Sequence, residues 1–455
     1  MTDVVRSEND LPTLRIHMSS LADDESGRPV PVAVFEVVRG KGEARKVASV
    51  PARSLGLPDW MKASDTLPES RLRIPSDLAH SICEALTHID RDDPCFWLEL
   101  PSPRGYLHLF PWERFLSPTL GRPLVRLPYF KLRPEAPGTA LHVVLAAGGA
   151  SRRLPVSAVV KTLAETWLSS AKWTVTMDVF VEAEATQETR RLLSSLQGIT
   201  VHDPPSPEPS PEYRIDPSAA AGRSRWFTWI GEQLAGRSVD VVHVASDGIF
   251  LAGRGALAVP SFEPSSPGTS RSDAISATEV CRALDRRGAF SFIATSWPEN
   301  PSPAAMRDLS DIVAQSRPGV VAFQELDRDL EATELLAAQR MLFEGEPPGT
   351  SLPGAICWSH PAFVLFPEPP QLSNSDATTT LLSELTQSVL ASAETPAWVA
   401  AGARALEGLH ARALGPDGLN MDPDVAVALN AVAKTFNDTV DSLISDSEEV
   451  RRDGR

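Results

Sequence analysis

Hydrophobic positions change their period along this chain of 455 residues. Near the start they alternate singly, as in Leu14-Arg15-Ile16-His17-Met18. A turn at Ser26-Gly27-Arg28-Pro29 precedes a second run at 32–38, and Gly40-Lys41-Gly42-Glu43 precedes a third at 47–50. This pattern predicts a few antiparallel strands. Over 75–89 the spacing becomes helical, with Leu78, Ile82, Leu86 and Ile89 on one face and Ser76 as the cap. Residues 96–100 and 106–110, separated by a turn at 101–105, predict a hairpin.

From Leu141 short apolar runs alternate with helical patterns. Strands are expected at 141–147, 173–181, 199–201, 239–245, 290–295, 319–323 and 362–366. Helices are expected at 156–170, 186–196, 223–234, 276–286, 304–315 and 330–343. Residues 250–260 have room for a short hairpin. Stretches 203–217 and 261–273 are dense in proline and serine and predict extended surface loops. Alternating strand and helix implies an α/β protein whose mostly parallel sheet carries helices on both faces. The valine-rich run 239–245 is expected to be buried on both sides, and Ser246-Asp247-Gly248 is expected to turn the chain out at the carboxyl edge of the sheet. That edge is where open α/β sheets place their chemistry. After Pro370 the pattern is purely helical. The expected organisation is an N-terminal β-rich element (1–75), a lead-in region (76–140), the α/β core (141–370) and a C-terminal helical extension (371–455).

Composition narrows the function. The net charge is −16, whereas nucleic-acid binding and docking on anionic membranes both need a basic face. Residues 371–455 hold 13 acidic and 6 basic side chains, so the extension is disproportionately acidic. Cys83, Cys95, Cys281 and Cys357 follow neither disulfide nor metal-ligand spacing, which suits a reducing cytoplasm. The N-terminal residues lack a signal-peptide pattern, and no apolar run is long enough to span a bilayer. No metal or organic cofactor is expected.

Several blocks carry a family likeness. They are Phe110-Pro111-Trp112-Glu113-Arg114-Phe115 with Gly121-Arg122-Pro123-Leu124-Val125-Arg126-Leu127-Pro128, then Val241-Val242-His243-Val244-Ala245-Ser246-Asp247-Gly248, then Phe292-Ile293-Ala294-Thr295-Ser296, then Gly319-Val320-Val321-Ala322-Phe323-Gln324, and finally Ser359-His360-Pro361-Ala362-Phe363-Val364-Leu365. In this order, over roughly residues 80–367, they resemble the CHAT domain, a bacterial branch of the caspase-like cysteine peptidases related to separase. The resemblance implies a caspase-like fold with a catalytic histidine at the end of the second block and a cysteine at the end of the third. Here Asp247 and Ser296 stand at those positions. A register shift of one residue would put Thr295 or Trp297 at the nucleophile position instead.

The substitutions matter chemically. A caspase-type reaction needs a thiolate activated by histidine. A serine hydroxyl paired with a carboxylate of ordinary pKa about 3.9 is a poor substitute. A rescue would use His243 as base with Ser296 and Asp247. Against it, His243 lies four residues, about 13 Å, deeper along the strand than Asp247. The resemblance therefore implies a catalytically degenerate protein in a bacterial stress, defence or cell-death system. Its expected partner is a protein (an active paralogue, a sensor or an effector), with the acidic extension as partner-binding element or lid. The alternatives are a peptidase using Ser296 and a nucleotide or small-molecule sensor. For the latter, Gly148-Gly149 with Ser151, Arg152 and Arg153 offers a weak phosphate cradle without the usual fingerprints. His202-Asp203 is read as surface, Trp226 and Trp229 as core, and Trp112 as a packing anchor.

Overall fold

The computed structural model describes most of residues 11–364; several internal stretches, the longest being 129–139, 206–223 and 263–271, and everything after Val364 lie outside the described residues. The expected helical extension 371–455 and the residues Ser151, Arg152 and Arg153 therefore lie outside them too. Among the described residues the strands form one 14-stranded sheet.

The strands are β1 (Thr13–Ala22), β2 (Pro29–Val38), β3 (Arg45–Pro51), β4 (Phe96–Glu99), β5 (Leu124–Arg126), β6 (Ala140–Ala147), β7 (Thr174–Val181), β8 (Ile199–His202), β9 (Val241–Leu251), β10 (Arg254–Pro260), β11 (Ser272–Ser276), β12 (Ser291–Ser296), β13 (Val320–Glu325) and β14 (Ala355–Trp358). The order across the sheet is β3-β2-β1-β4-β5-β14-β13-β12-β9-β6-β7-β8, with β10 and β11 attached through β9. Most neighbours are parallel; β1/β2, β2/β3, β13/β14, β9/β10 and β10/β11 are antiparallel. The N-terminal β element is thus hydrogen-bonded into the main sheet, and the antiparallel seam β13/β14 joins two halves that run in opposite directions.

Helices cover both faces, as the alternating pattern implies. On one face α3 (Val156–Leu168), α4 (Ala183–Leu193) and α8 (Thr333–Gln339) bury Val160, Leu163, Trp167, Leu193 and Leu335 against Leu145, Val179, Val241 and Ile293. On the other, α5 (Arg225–Leu234), α6 (Ala277–Arg287) and α7 (Pro303–Ser316) bury Trp226, Trp229, Val280, Leu284, Met306 and Leu309 against Val144, Val242, Phe292 and Phe323. The core thus alternates by strand parity: odd positions of β9 and β12 face α3, even positions face α6 and α7. The helix α6 starts with a full capping box, Ser276 and Glu279 bonding each other's backbone N–H, and stops at Gly288 in the left-handed conformation. A third cluster under β1–β5 is closed by α1 (Ser76–Ile89) and α2 (Trp112–Leu120), with Trp112 at its centre against Phe35 and Phe110.

Four expectations are corrected. Ser246-Asp247-Gly248 is not a turn. The strand β9 continues through it, pairing first with β12 and then, from Asp247, antiparallel with β10; the chain reverses later, at Gly253. Cross-strand pairing with β10 overrides the local Asp-Gly preference. The expected second strand of the hairpin, 106–110, contains a 3-10 turn at Leu107–Leu109, because its backbone serves the helix α2 that follows. The last strand described is the unexpected β14; of the expected strand 362–366 only Val364 is described, and it is helical, while the rest lies outside the described residues. Finally, His202 is not surface. It is largely buried, stacks on Phe180 at 4.6 Å and bonds Asp178.

Candidate functional site

The strand order puts a topological switch point between β6 and β9. From β6 the chain moves outward to β7 and β8, then returns to lay β9 on the other side of β6. The connections leave on opposite faces, α3 on one and α6 on the other. The carboxyl ends of β6 and β9 therefore diverge, and this is the crevice where such folds bind ligands. It is lined by Gly148 and Gly149, by Asp247, by Glu182 after β7 and by the residues following β12.

The crevice is filled from within. The indole of Trp297, 1% exposed, lies across the two glycines and donates from Nε1 to the Gly148 carbonyl at 3.1 Å. A Cβ on Gly149 would come within 2.4 Å of that Nε1 and 3.4 Å of the Asp247 carboxylate; one on Gly148 would meet Pro260 and Trp226. The glycines are there because the ring and the neighbouring side chains leave no room for a side chain. Nor are their amides free. Gly148 donates to the Ala245 carbonyl at 3.1 Å, and Gly149 donates to Glu182. Burial, helped by Glu184, pushes the Glu182 carboxyl up to about 7 despite that bond. The Glu182 carboxyl group thus sits where a phosphate cradle would hold its anion.

The two expected catalytic positions point apart. Ser296 pairs across the sheet with Ser246 and Glu325 at the end of β12. By parity it shares the face of Phe292 and Ala294, whereas Asp247 and His243 share the face of Val241 and Ala245. The Ser296 hydroxyl is directed at the Gln324 carbonyl, at 3.4 Å. His243 lies three positions back from Ser246, about 10 Å along the strand. The structure therefore brings Asp247 to Gly149 and Trp297, and brings neither Asp247 nor His243 to Ser296.

His243 has another role. It is fully buried, and burial pulls its pKa down to about 3, so it is neutral. Trp167 Nε1 donates to its Nδ1 at 3.1 Å, which leaves Nε2–H to donate to Thr295 Oγ1 at 2.8 Å. Thr295 in turn donates to Gln324 Oε1 at 3.1 Å, and Gln324 donates to Asp329 Oδ2 at 2.8 Å. Asp329 caps α8, accepting from the backbone of Thr333, Glu334 and Leu335. This line of bonds runs under the sheet in one direction and is saturated at each joint. It locks α3, β9, β12, β13 and α8 together.

The lead-in block is also structural. Arg126 and Glu113 form a buried two-point pair at 2.7 and 3.0 Å, and Arg126 also donates to the carbonyls of His108 and Phe110. Trp112 donates to the Leu107 carbonyl at 2.8 Å. Cys83, Cys95 and Cys357 are buried and Cys281 is half-buried; none stands at the end of β9 or β12. Burial pushes the Cys83 thiol up to about 11 and raises the others as well.

Two residues shape the crevice: Trp297, which sequence reasoning reaches only as a register alternative at the nucleophile position, and Glu182, which it misses. The only signal for Glu182 is a carboxylate directly after a strand. Among the described residues no group of His, Cys, Asp and Glu could hold a metal ion, and no helix is long and apolar enough to cross a membrane. The fold and crevice define a mixed, mostly parallel α/β protein with its switch-point crevice closed by a tryptophan. No protein-family model matches the chain, and no curated protein matches it.

Proposed function

We propose that the chain is a catalytically degenerate relative of the CHAT and caspase-like peptidases, kept as a protein-binding or regulatory component of a bacterial stress, defence or cell-death system. The observation that carries this reading is Trp297. Its indole occupies the crevice at the end of β6 and β9, where a substrate and a nucleophile would have to meet. The strand order, with parallel core strands and an antiparallel closing strand, supports the family likeness. The opposed faces of Asp247 and Ser296 and the placement of all four cysteines away from this edge support the loss of chemistry. The serine-peptidase alternative needs Ser296 beside a base, and both candidates, Asp247 and His243, lie on the other face of the sheet. The phosphate-sensing alternative is disfavoured by Glu182 on the Gly149 amide.

The test is a peptide-library cleavage assay on the full chain and on Ser296→Ala, together with size-exclusion analysis of the chain mixed with the products of neighbouring genes. The expected outcome is equal background cleavage for both proteins and a stoichiometric complex with one neighbour. Turnover by the native chain that Ser296→Ala abolishes would overturn the reading.

A further inference from the structure

At the far edge of the sheet, three side chains from adjacent strands meet. His142 lies on β6, Asp178 on β7 and His202 at the end of β8. We propose that they form a proton-operated latch that holds the β8 edge and the 235–240 segment onto the sheet, closed while His142 is charged. The geometry fixes that charge. The Nδ1 of His142 is 2.7 Å from the Ser238 carbonyl, and its Nε2 is 2.6 Å from Asp178 Oδ2. Both partners accept. A neutral imidazole has one N–H to give, so holding both contacts requires the imidazolium.

Asp178 is ionised to match. Burial pushes its carboxyl up, but the bonds from His142, His202 and Arg237 outweigh burial and hold it below the usual carboxylate range. The charged groups around the latch come from every strand and segment it joins. His202 Nε2 sits on Asp178 Oδ1 at 2.6 Å, and Arg237 on the same oxygen at 3.1 Å. Asp240 accepts the backbone N–H of His142 at 2.7 Å. Next to His202, Asp203 is paired with Arg190 of α4, and its carbonyl accepts the indole N–H of Trp229 from α5. The hydrogen bond to Asp178 is the largest influence raising the pKa of His142.

The direction follows. A histidine raised in the folded state contributes its full stabilisation below its unfolded value of about 6.5. That contribution is lost as pH rises through the folded value. On deprotonation one of the two contacts becomes lone pair against lone pair, and the latch opens on the alkaline side.

The experiment uses the full chain labelled with nitrogen-15 in histidine. At about pH 6.5 both ring nitrogens of His142 should carry protons, the signals being assigned by their loss in His142→Gln. Hydrogen exchange at 199–202 and 238–242, corrected for the intrinsic chemical rate, should then lose at least about tenfold protection on going to about pH 9. The same exchange should be fast and insensitive to pH in His142→Gln. Should that variant fail to fold, Asp178→Asn and the native titration carry the test. A neutral tautomer of His142 at about pH 6.5, or native protection independent of pH, would overturn the latch.

Discussion

Replacing Arg126 by methionine tests how the lead-in block is held onto the sheet. The Arg126 side chain is almost wholly buried, and so is the carboxylate of Glu113 that it grips at 2.7 and 3.0 Å. The guanidinium also serves the carbonyls of His108 and Phe110, at 2.8 and 2.9 Å, and lies 5.1 Å from the ring centre of Trp358. Methionine keeps the volume and removes all of this. An orphaned charge in such a site costs about 3–5 kcal/mol. Unlike a surface pair, it has no water to turn to. The double variant Glu113→Leu/Arg126→Met removes the stranded charge but leaves two carbonyls unpaired, at roughly 1 kcal/mol or more each. It should therefore be about 2 kcal/mol more stable than Arg126→Met alone, despite carrying one more substitution. Arg126→Lys should fall between, since a point charge cannot reproduce the planar fork. Guanidinium unfolding followed by tryptophan fluorescence reads the three midpoints. The reasoning fails if Arg126→Met costs under about 1 kcal/mol, or if the double variant is no better than the single.

Gly149→Ala should force a methyl into the Trp297 indole and cost about 1–3 kcal/mol, with a red-shifted tryptophan emission as the ring is displaced into water; unchanged emission and melting temperature would contradict the filled crevice. His243 behaves oppositely to His142. Its folded pKa is depressed to about 3, so the unfolded chain binds the extra proton and stability falls as pH drops from about 6.5 toward 3, by up to about 1.4 kcal/mol per pH unit. Comparing unfolding midpoints of the native chain and His243→Gln between about pH 5 and 7 should show that slope shrinking in the variant, and parallel slopes would refute a neutral buried His243.

Much of the architecture was written in the chain's periodicity. The alternation from Leu141 onward, the helical faces of Val160-Leu163-Trp167 and the valine run before Ala245 each describe a local environment, and local environments repeat with the period of the element. What failed was decided by partners far away in the chain. Asp247-Gly248 has the composition of a turn, yet β10 takes its backbone into a ladder. The run Ala355–Trp358 is punctuated by Pro353-Gly354 before it and Pro361 after it, but four residues are too few to show a period, and its two neighbours, β5 and β13, make it a strand. The site was harder still. The likeness implies strand ends for both Asp247 and Ser296; Ser296 ends β12, whereas β9 runs on through Asp247 to Leu251, and which face each residue occupies depends on register. That Trp297 would lie over Gly149 depends on how β6 and β12 flank β9.

The position of β14 carries a consequence for how the molecule is made. It is the last strand described, and it alone connects β5 to β13. The N-terminal strands therefore have their own helices and core from early in synthesis, but no seat in the sheet until about 230 residues later. At roughly 5–20 residues per second that is a wait on the order of 10–50 s. Throughout it, β5 shows an unpaired edge, and so does β13 once it forms. Such edges invite pairing with other chains. A message truncated before residue 355 should thus yield two partly folded sheets rather than one smaller protein, and nascent-chain binding by chaperones should concentrate in that interval.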